Sequence, residues 1–292
     1  MKGLSIHPLG MLLPVAYLAF SPRVNKPLYR KLLFRPTEFP RDCKELPVVS
    51  GVRARECFFK SEGRGVRSEE LHGWFFAHPQ SDSQSHSKEP GRAALISHGN
   101  AGNMSTRLGL VELLLACGSS VFLYDYRGYG KSTGKPCVQG VCADGISALD
   151  YLRALLPGET PVVLYGESLG AAVSTAIARK RSVDGLILQS GFSSLGRIAR
   201  ENYAALSLYP DFLFPNPYMN SRQFLSDEHP PVVIIHGTDD PVVPVSHAQE
   251  LYLTARGDKQ LILIEDAHHS DLLALGASQM RQSIEHLLKS IG

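Results

Sequence analysis

An α/β domain with a mostly parallel eight-stranded sheet and helices on both faces is the fold this sequence predicts, and two patterns carry the expectation. Short apolar, β-branched runs fall at residues 51–60, 70–77, 93–98, 121–126, 161–166, 184–190, 231–236 and 260–265, each about the length of a buried strand. From the third run onward they alternate with stretches of helical spacing, and parallel strands need such crossovers. With 292 residues, 43% of them hydrophobic, the chain can bury one large core.

Taken in order, residues 1–40 read as an arm separate from a domain spanning 41–292. The run LGMLLPVAYLAF at 9–20 contains Pro14 and falls short of the roughly 20 residues a spanning helix needs. Lys2 precedes it and Arg23, Lys26, Arg30, Lys31 and Arg35 follow. No small-residue cleavage pattern follows the run, so a cytoplasmic or membrane-associated protein is expected rather than a secreted one. The arm is expected either to touch a membrane surface peripherally or to pack on the domain, with a signal peptide the further alternative. The first two strand runs, joined by SEGRGVRSEE, form an expected hairpin. The polar stretch at 79–91, which includes His86, reads as a surface loop. Segments 104–116, 138–156 and 271–290 have apolar residues at helical spacing and are read as packing helices. Asp125 and Arg127 are expected to fix the turn after the fourth strand.

The chemistry centres on residues 161–175, PVVLYGESLGAAVST. A buried strand runs into a Gly-Glu-Ser-Leu-Gly turn and straight on into a helix of small residues. Such a turn exposes the Ser168 hydroxyl at a helix N-terminus, where free amides and the helix dipole favour developing negative charge. Gly166 and Gly170 stand where a β-carbon would collide with neighbouring backbone. A serine hydroxyl is a weak nucleophile at neutral pH, so a base and a group to orient it are required. Two later strands end in suitable loops. PVVIIHGTDDPVVPV at 231–245 offers Asp239 and Asp240, and QLILIEDAHHSD at 260–271 offers His268 and His269. Spacing alone leaves each pair open.

At this point the sequence resembles the α/β-hydrolase superfamily, whose acid commonly closes an HGxxD segment and whose histidine precedes a small polar residue and an acid. His236, Gly237, Thr238, Asp239 and Asp240 match the first pattern; His269, Ser270 and Asp271 match the second. The resemblance therefore implies Asp240 as the orienting acid and His269 as the base. An oxyanion hole is also required. Its donors are expected to be the backbone N–H of Leu169 and, from the loop AALISHGNAGNM at 93–104, that of Asn100, with Ala101 the alternative; His98 is read as a brace for that loop.

The HGNAGN loop, the DYRGYGKSTGKP segment at 125–136, the elbow and the HGTDDPVVP segment together resemble a narrower group: compact hydrolases related to depalmitoylating thioesterases and to bacterial peptidase-like serine hydrolases. The resemblance covers roughly residues 50–290. It implies hydrolysis of an ester or thioester in a small or acylated substrate through an acyl-enzyme, with no cofactor and no metal. A peptidase or amidase, an acyltransferase, and a non-catalytic binding protein on the same fold are the rival readings. Residues 192–230 interrupt the regular alternation with aromatics and prolines, among them Phe212, Phe214, Pro215, Pro217 and Tyr218. They are expected to form a small cap in which Phe212 and Phe214 contact the substrate.

Composition excludes several other classes. A net charge of +2 with scattered Lys and Arg gives no nucleic-acid stripe. Five cysteines, at 43, 57, 117, 137 and 142, lack metal-ligand spacing and are odd in number. Cys137 and Cys142 are the one local pair.

Overall fold

The structure is a computed structural model and describes residues 16–39, 45–79, 91–214 and 219–291. Cys43, His86, Pro14, Pro215, Pro217 and Tyr218, with most of the 79–91 stretch, lie outside the described residues. The strands of the main sheet are β1 (Arg55–Ser61), β2 (Glu69–Phe76), β3 (Arg92–Ser97), β4 (Ser119–Tyr124), β5 (Val162–Glu167), β6 (Gly185–Gln189), β7 (Val232–Gly237) and β8 (Lys259–Ile264). They lie in the order β1-β2-β4-β3-β5-β6-β7-β8. β1 and β2 form an antiparallel hairpin and β2 runs antiparallel to β4; every later pairing is parallel. The first strand starts later than its sequence run. Val48–Val49 and Val52–Arg53 instead pair with each other across Ser50 and Gly51, both at positive φ, the twist a tight hairpin demands.

Residues 16–19 are helical, and the α-helices that follow among the described residues are α1 (Lys26–Leu33), α2 (Leu108–Ala116), α3 (Val138–Leu155), α4 (Leu169–Ala178), α5 (Leu195–Asn202), α6 (Ser221–Leu225), α7 (Ser246–Thr254) and α8 (Leu272–Ser290). Alternation along the central strands divides the core in two, because successive side chains leave opposite faces of a strand. Ala93, Leu95, Val162 and Leu164 face a cluster with residues of α3, α4 and α7. Ala94, Ile96, Val163 and Tyr165 face one with residues of α2 and α8. Burial of each such large aliphatic side chain stabilises by about 1.5–3 kcal/mol. Both faces are thus covered, which is why the strands read as unbroken apolar runs.

One buried ion pair lies among these layers. Asp144, inside α3, and Arg127, after β4, are both almost wholly buried. Arg127 donates to Asp144 from its backbone N–H at 2.9 Å, from Nε at 3.0 Å and from Nη2 at 2.7 Å, and Ser61 Oγ donates to Asp144 Oδ1 at 2.5 Å. Asp125 accepts from Met104 N–H at 2.8 Å. Cys57, Cys117, Cys137 and Cys142 are free thiols. No described helix is long and apolar enough to cross a membrane.

Candidate active site

Three strand ends build the site. At the end of β5, Ser168 sits at φ 54°, ψ −110°, a conformation of order 1–3 kcal/mol above the ordinary wells. Its N–H donates to Gln189 O of the neighbouring strand at 2.8 Å, and α4 begins at the next residue. Gly170 cannot be replaced in that turn, because a β-carbon there would lie 1.8 Å from Ser97 O.

The ends of β7 and β8 are joined to each other. Gly237 passes so close to the loop after β8 that a β-carbon would lie 2.2 Å from Ala267 O. Asp239 N–H donates to Ala267 O at 3.0 Å, and Asp266 N–H donates to Thr238 Oγ1 at 2.9 Å. This ties the loop carrying Asp240 to the loop carrying His269. Asp240 Oδ1 accepts from Val242 N–H at 2.8 Å and Val243 N–H at 2.9 Å, turning Oδ2 toward the imidazole. His269 Nδ1 lies 2.7 Å from Asp240 Oδ2 and Nε2 lies 3.1 Å from Ser168 Oγ. With the proton on Nδ1, the ring donates to the carboxylate and accepts from the hydroxyl.

The structure thus brings Ser168, His269 and Asp240 into one line and leaves their neighbours outside it. Asp239 is exposed. The His268 side chain is 61% exposed and lies 3.3 Å from Asp271. Burial by itself would raise the pKa of Asp240. Hydrogen bonds from His236 and His269, the His269 charge and the Val243 N–H outweigh it and hold the carboxyl well below the usual carboxylate range. His236 is fully buried, donates from Nε2 to Val243 O at 2.8 Å and stands 3.4 Å from Asp240 Oδ2.

Asn100 and Leu169 line the same cavity as Ser168. Neither backbone N–H has a hydrogen-bond partner among the described residues. The Asn100 loop is held from four sides. Asn100 O accepts from Tyr129 Oη at 2.8 Å and from Arg35 N–H at 2.9 Å, Asn100 Nδ2 donates to Leu33 O at 3.1 Å, and Tyr126 Oη donates to His98 O at 2.9 Å. Ala101, the alternative donor, pairs with Arg35 in a two-residue parallel ladder. Glu167, just before Ser168, accepts from Arg107 Nε at 2.9 Å and Nη2 at 3.2 Å. Burial pushes its pKa up, but the Arg107 charge and hydrogen bonds, with the Gly99 N–H, bring the net shift below normal. These contacts fasten the loop to the elbow.

A cavity of about 550 Å³ opens over Ser168 and His269, within the range of small-molecule sites. The segment 192–230 supplies one wall through α5, the 3-10 turn Ala204–Leu208 and Phe214, which follows a second such turn, Asp211–Leu213. Phe192, Leu195, Ile198, Leu206 and Phe214 line it. Phe212, expected to contact the substrate, is instead 67% exposed and does not line the cavity, because the 3-10 turn that buries Leu213 and is followed by buried Phe214 points Phe212 outward. The opposite wall was not foreseen. It comes from the arm, where Tyr29, Leu32 and Leu33 of α1, at helical spacing, face the cavity beside Pro22 and Arg35. Among the described residues, no three His, Cys, Asp or Glu side chains are grouped as a metal would require.

A strand-to-helix serine turn on this sheet order, with acid and imidazole following in chain order, defines a hydrolase class. The chain belongs to the α/β-hydrolase superfamily of serine hydrolases. The family model described as serine aminopeptidase, S33, matches residues 88–229. An uncharacterized protein of Mycobacterium tuberculosis is 32% identical over 262 residues, covering 89% of this chain and 86% of its own. The lysophosphatidylserine lipase ABHD12 of Macaca fascicularis is 34% identical over 178 residues, covering 55% of this chain and 44% of its own. Among solved structures, an esterase of Pyrococcus furiosus superposes with a TM-score of 0.68 at 19% identity, covering 89% of this chain and 99% of that one.

Proposed function

We propose that this hydrolase cleaves carboxylic ester or thioester bonds of an acyl substrate through a covalent acyl-enzyme. The observation that carries the reading is the continuous line from Ser168 Oγ through His269 to Asp240, at 3.1 and 2.7 Å, on the floor of an apolar cavity. Ser168 Oγ attacks the carbonyl carbon while His269 Nε2 takes its proton; the same proton then passes to the leaving oxygen or sulfur. Water, deprotonated by His269, attacks the acyl-enzyme and releases the acid and Ser168. Asp240 fixes the tautomer and stabilises the imidazolium. The N–H groups of Asn100 and Leu169 stabilise the oxyanion, each worth about 3–4 kcal/mol in the barrier.

A peptidase reading is favoured by the description of the matching family. Among the described residues, however, no Asp or Glu lines the cavity to pair with the ammonium of a free peptide N-terminus. A panel of acyl esters, acyl thioesters and aminoacyl amides, run beside labelling with a fluorophosphonate probe, decides between the readings. Ester or thioester turnover with probe labelling supports the proposal; turnover of the amides alone sinks it.

Two further outcomes are expected. Phe214→Ser should raise KM for medium-chain esters several-fold more than for acetate, whereas Phe212→Ser should leave KM for both soluble esters unchanged; identical behaviour of the two variants would contradict the assigned wall. In the pH dependence, the depressed Asp240 contributes stability that is fully present above the ordinary carboxylate value of about 3.9 and is lost as pH falls through its lower folded value. Asp240 therefore stays ionised from pH 8 down to about 4, and a decline in kcat/KM anywhere in that interval reports another group. An acid limb that persists when Asp240 is replaced by Asn would agree with this; one that disappears would not.

A further inference from the structure

We propose that the cavity mouth is a docking face for a lipid bilayer bearing anionic headgroups, seated by the arm and the cap together. Of the fourteen large apolar residues that stand exposed among the described residues, nine lie at 17–28, 203–212 or 242. The most exposed of them include Leu208 at 72%, Val24 at 59% and Phe20 at 58%. Scattered single apolar residues on a surface need no explanation, but these are joined into one rim. The ring of Tyr17 stacks on Tyr209 with centroids 4.8 Å apart. Arg23 donates from N–H to Leu213 O and from Nη1 to Phe212 O, both at 2.8 Å, and Tyr29 Oη donates to Phe20 O at 2.8 Å. Tyr29, Tyr203 and Val242 also line the cavity, so the rim borders its opening.

Charge specifies the partner. No Asp or Glu occurs before Glu38, while Arg23, Lys26, Arg30, Lys31 and Arg35 fall in thirteen residues of a chain whose net charge is only +2. Lys26, Arg30, Lys31 and Arg35 pair with no acid among the described residues. The nearby acid of the cap, Asp211, is bound to Arg200 at 2.5 Å. In α1, Tyr29, Leu32 and Leu33 turn to the cavity, which leaves Pro27 and exposed Lys31 on the outer side. Apolar side chains that enter the acyl boundary, flanked by cations that meet phosphate, are the make-up of an interfacial surface rather than a spanning one. An acyl chain would then pass from the bilayer into the cavity without crossing water. That last step rests on the hydrolase reading; the docking does not.

The test uses the full-length chain carrying Ser168→Ala, so that no lipid is consumed, mixed with sedimenting vesicles of phosphatidylcholine alone or of phosphatidylcholine with phosphatidylglycerol. Partition onto the anionic vesicles, release by salt, and little binding to the neutral ones are expected. Lys26→Glu with Lys31→Glu, and separately Leu208→Ser with Phe212→Ser, should each lower that partition at least about tenfold. In the Ser168 background the same four substitutions should leave turnover of a soluble short-chain ester unchanged, which shows that they fold. Absence of binding, equal binding to both vesicle types, or full binding by both variant pairs would overturn the docking. Absence of both ester and thioester turnover by the unaltered chain would overturn the proposed acyl hydrolysis and leave vesicle binding as it was.

Discussion

Ser168→Ala is expected to lower kcat on any productive ester by about 10⁴–10⁶-fold while leaving the fold intact, because the serine hydroxyl and the imidazole act as a unit. Ser168 is 8% exposed and its turn is held by backbone, with its N–H on Gln189 O and Gly170 packed under Ser97 O. Alanine keeps all of these contacts and removes only the nucleophile. His269→Ala should cost a similar factor, and the double variant should be scarcely worse than either single one. Steady-state kinetics of the three variants, with thermal unfolding as the control for folding, measure this. Independent, multiplying losses would mean that the 3.1 Å contact between Ser168 and His269 is not used in the reaction.

Asp144→Ala should produce the largest loss of stability, about 3–5 kcal/mol, since it strands the Arg127 guanidinium with only 3% of its side chain exposed. At this chain length that corresponds to a fall in Tm of roughly 5–8 °C. Replacing both partners, with Arg127→Met and Asp144→Leu, should recover much of it, because no unpaired charge then stays buried. Calorimetry or urea titration reads the difference; a loss below about 1 kcal/mol would show that water reaches the guanidinium. Activity should fall as well. Arg127 anchors the segment that carries Tyr129, and the Tyr129 hydroxyl holds Asn100 O.

The residues at the strand ends were legible in the sequence because each is locally specified. Ser168 lies in a Gly-x-Ser-x-Gly turn between an apolar run and a small-residue helix. Asp240 and His269 follow apolar runs of their own, and the family-like patterns around them separated each from its neighbour. The eight strands were legible for the same reason, to within a few residues. What escaped was made by distant pairs. Arg107 meets Glu167 and Arg127 meets Asp144, and nothing periodic marks either partner. Phe212 and Phe214 looked alike because a 3-10 turn carries no alternation from which to read the inward side. The arm's place against the cavity depends on Arg35 reaching Asn100, a contact that no stretch of residues 1–40 announces.

That placement divides the labour of the molecule along its length. The proposed reacting serine lies inside the family-matched interval of residues 88–229, whereas Tyr29, Leu32 and Leu33, which shape one side of the chamber, lie upstream of it. Drift in those few codons can reshape the chamber without disturbing the proposed reacting serine, so kinship in the shared interval is a guide to reaction type and a poor guide to diet.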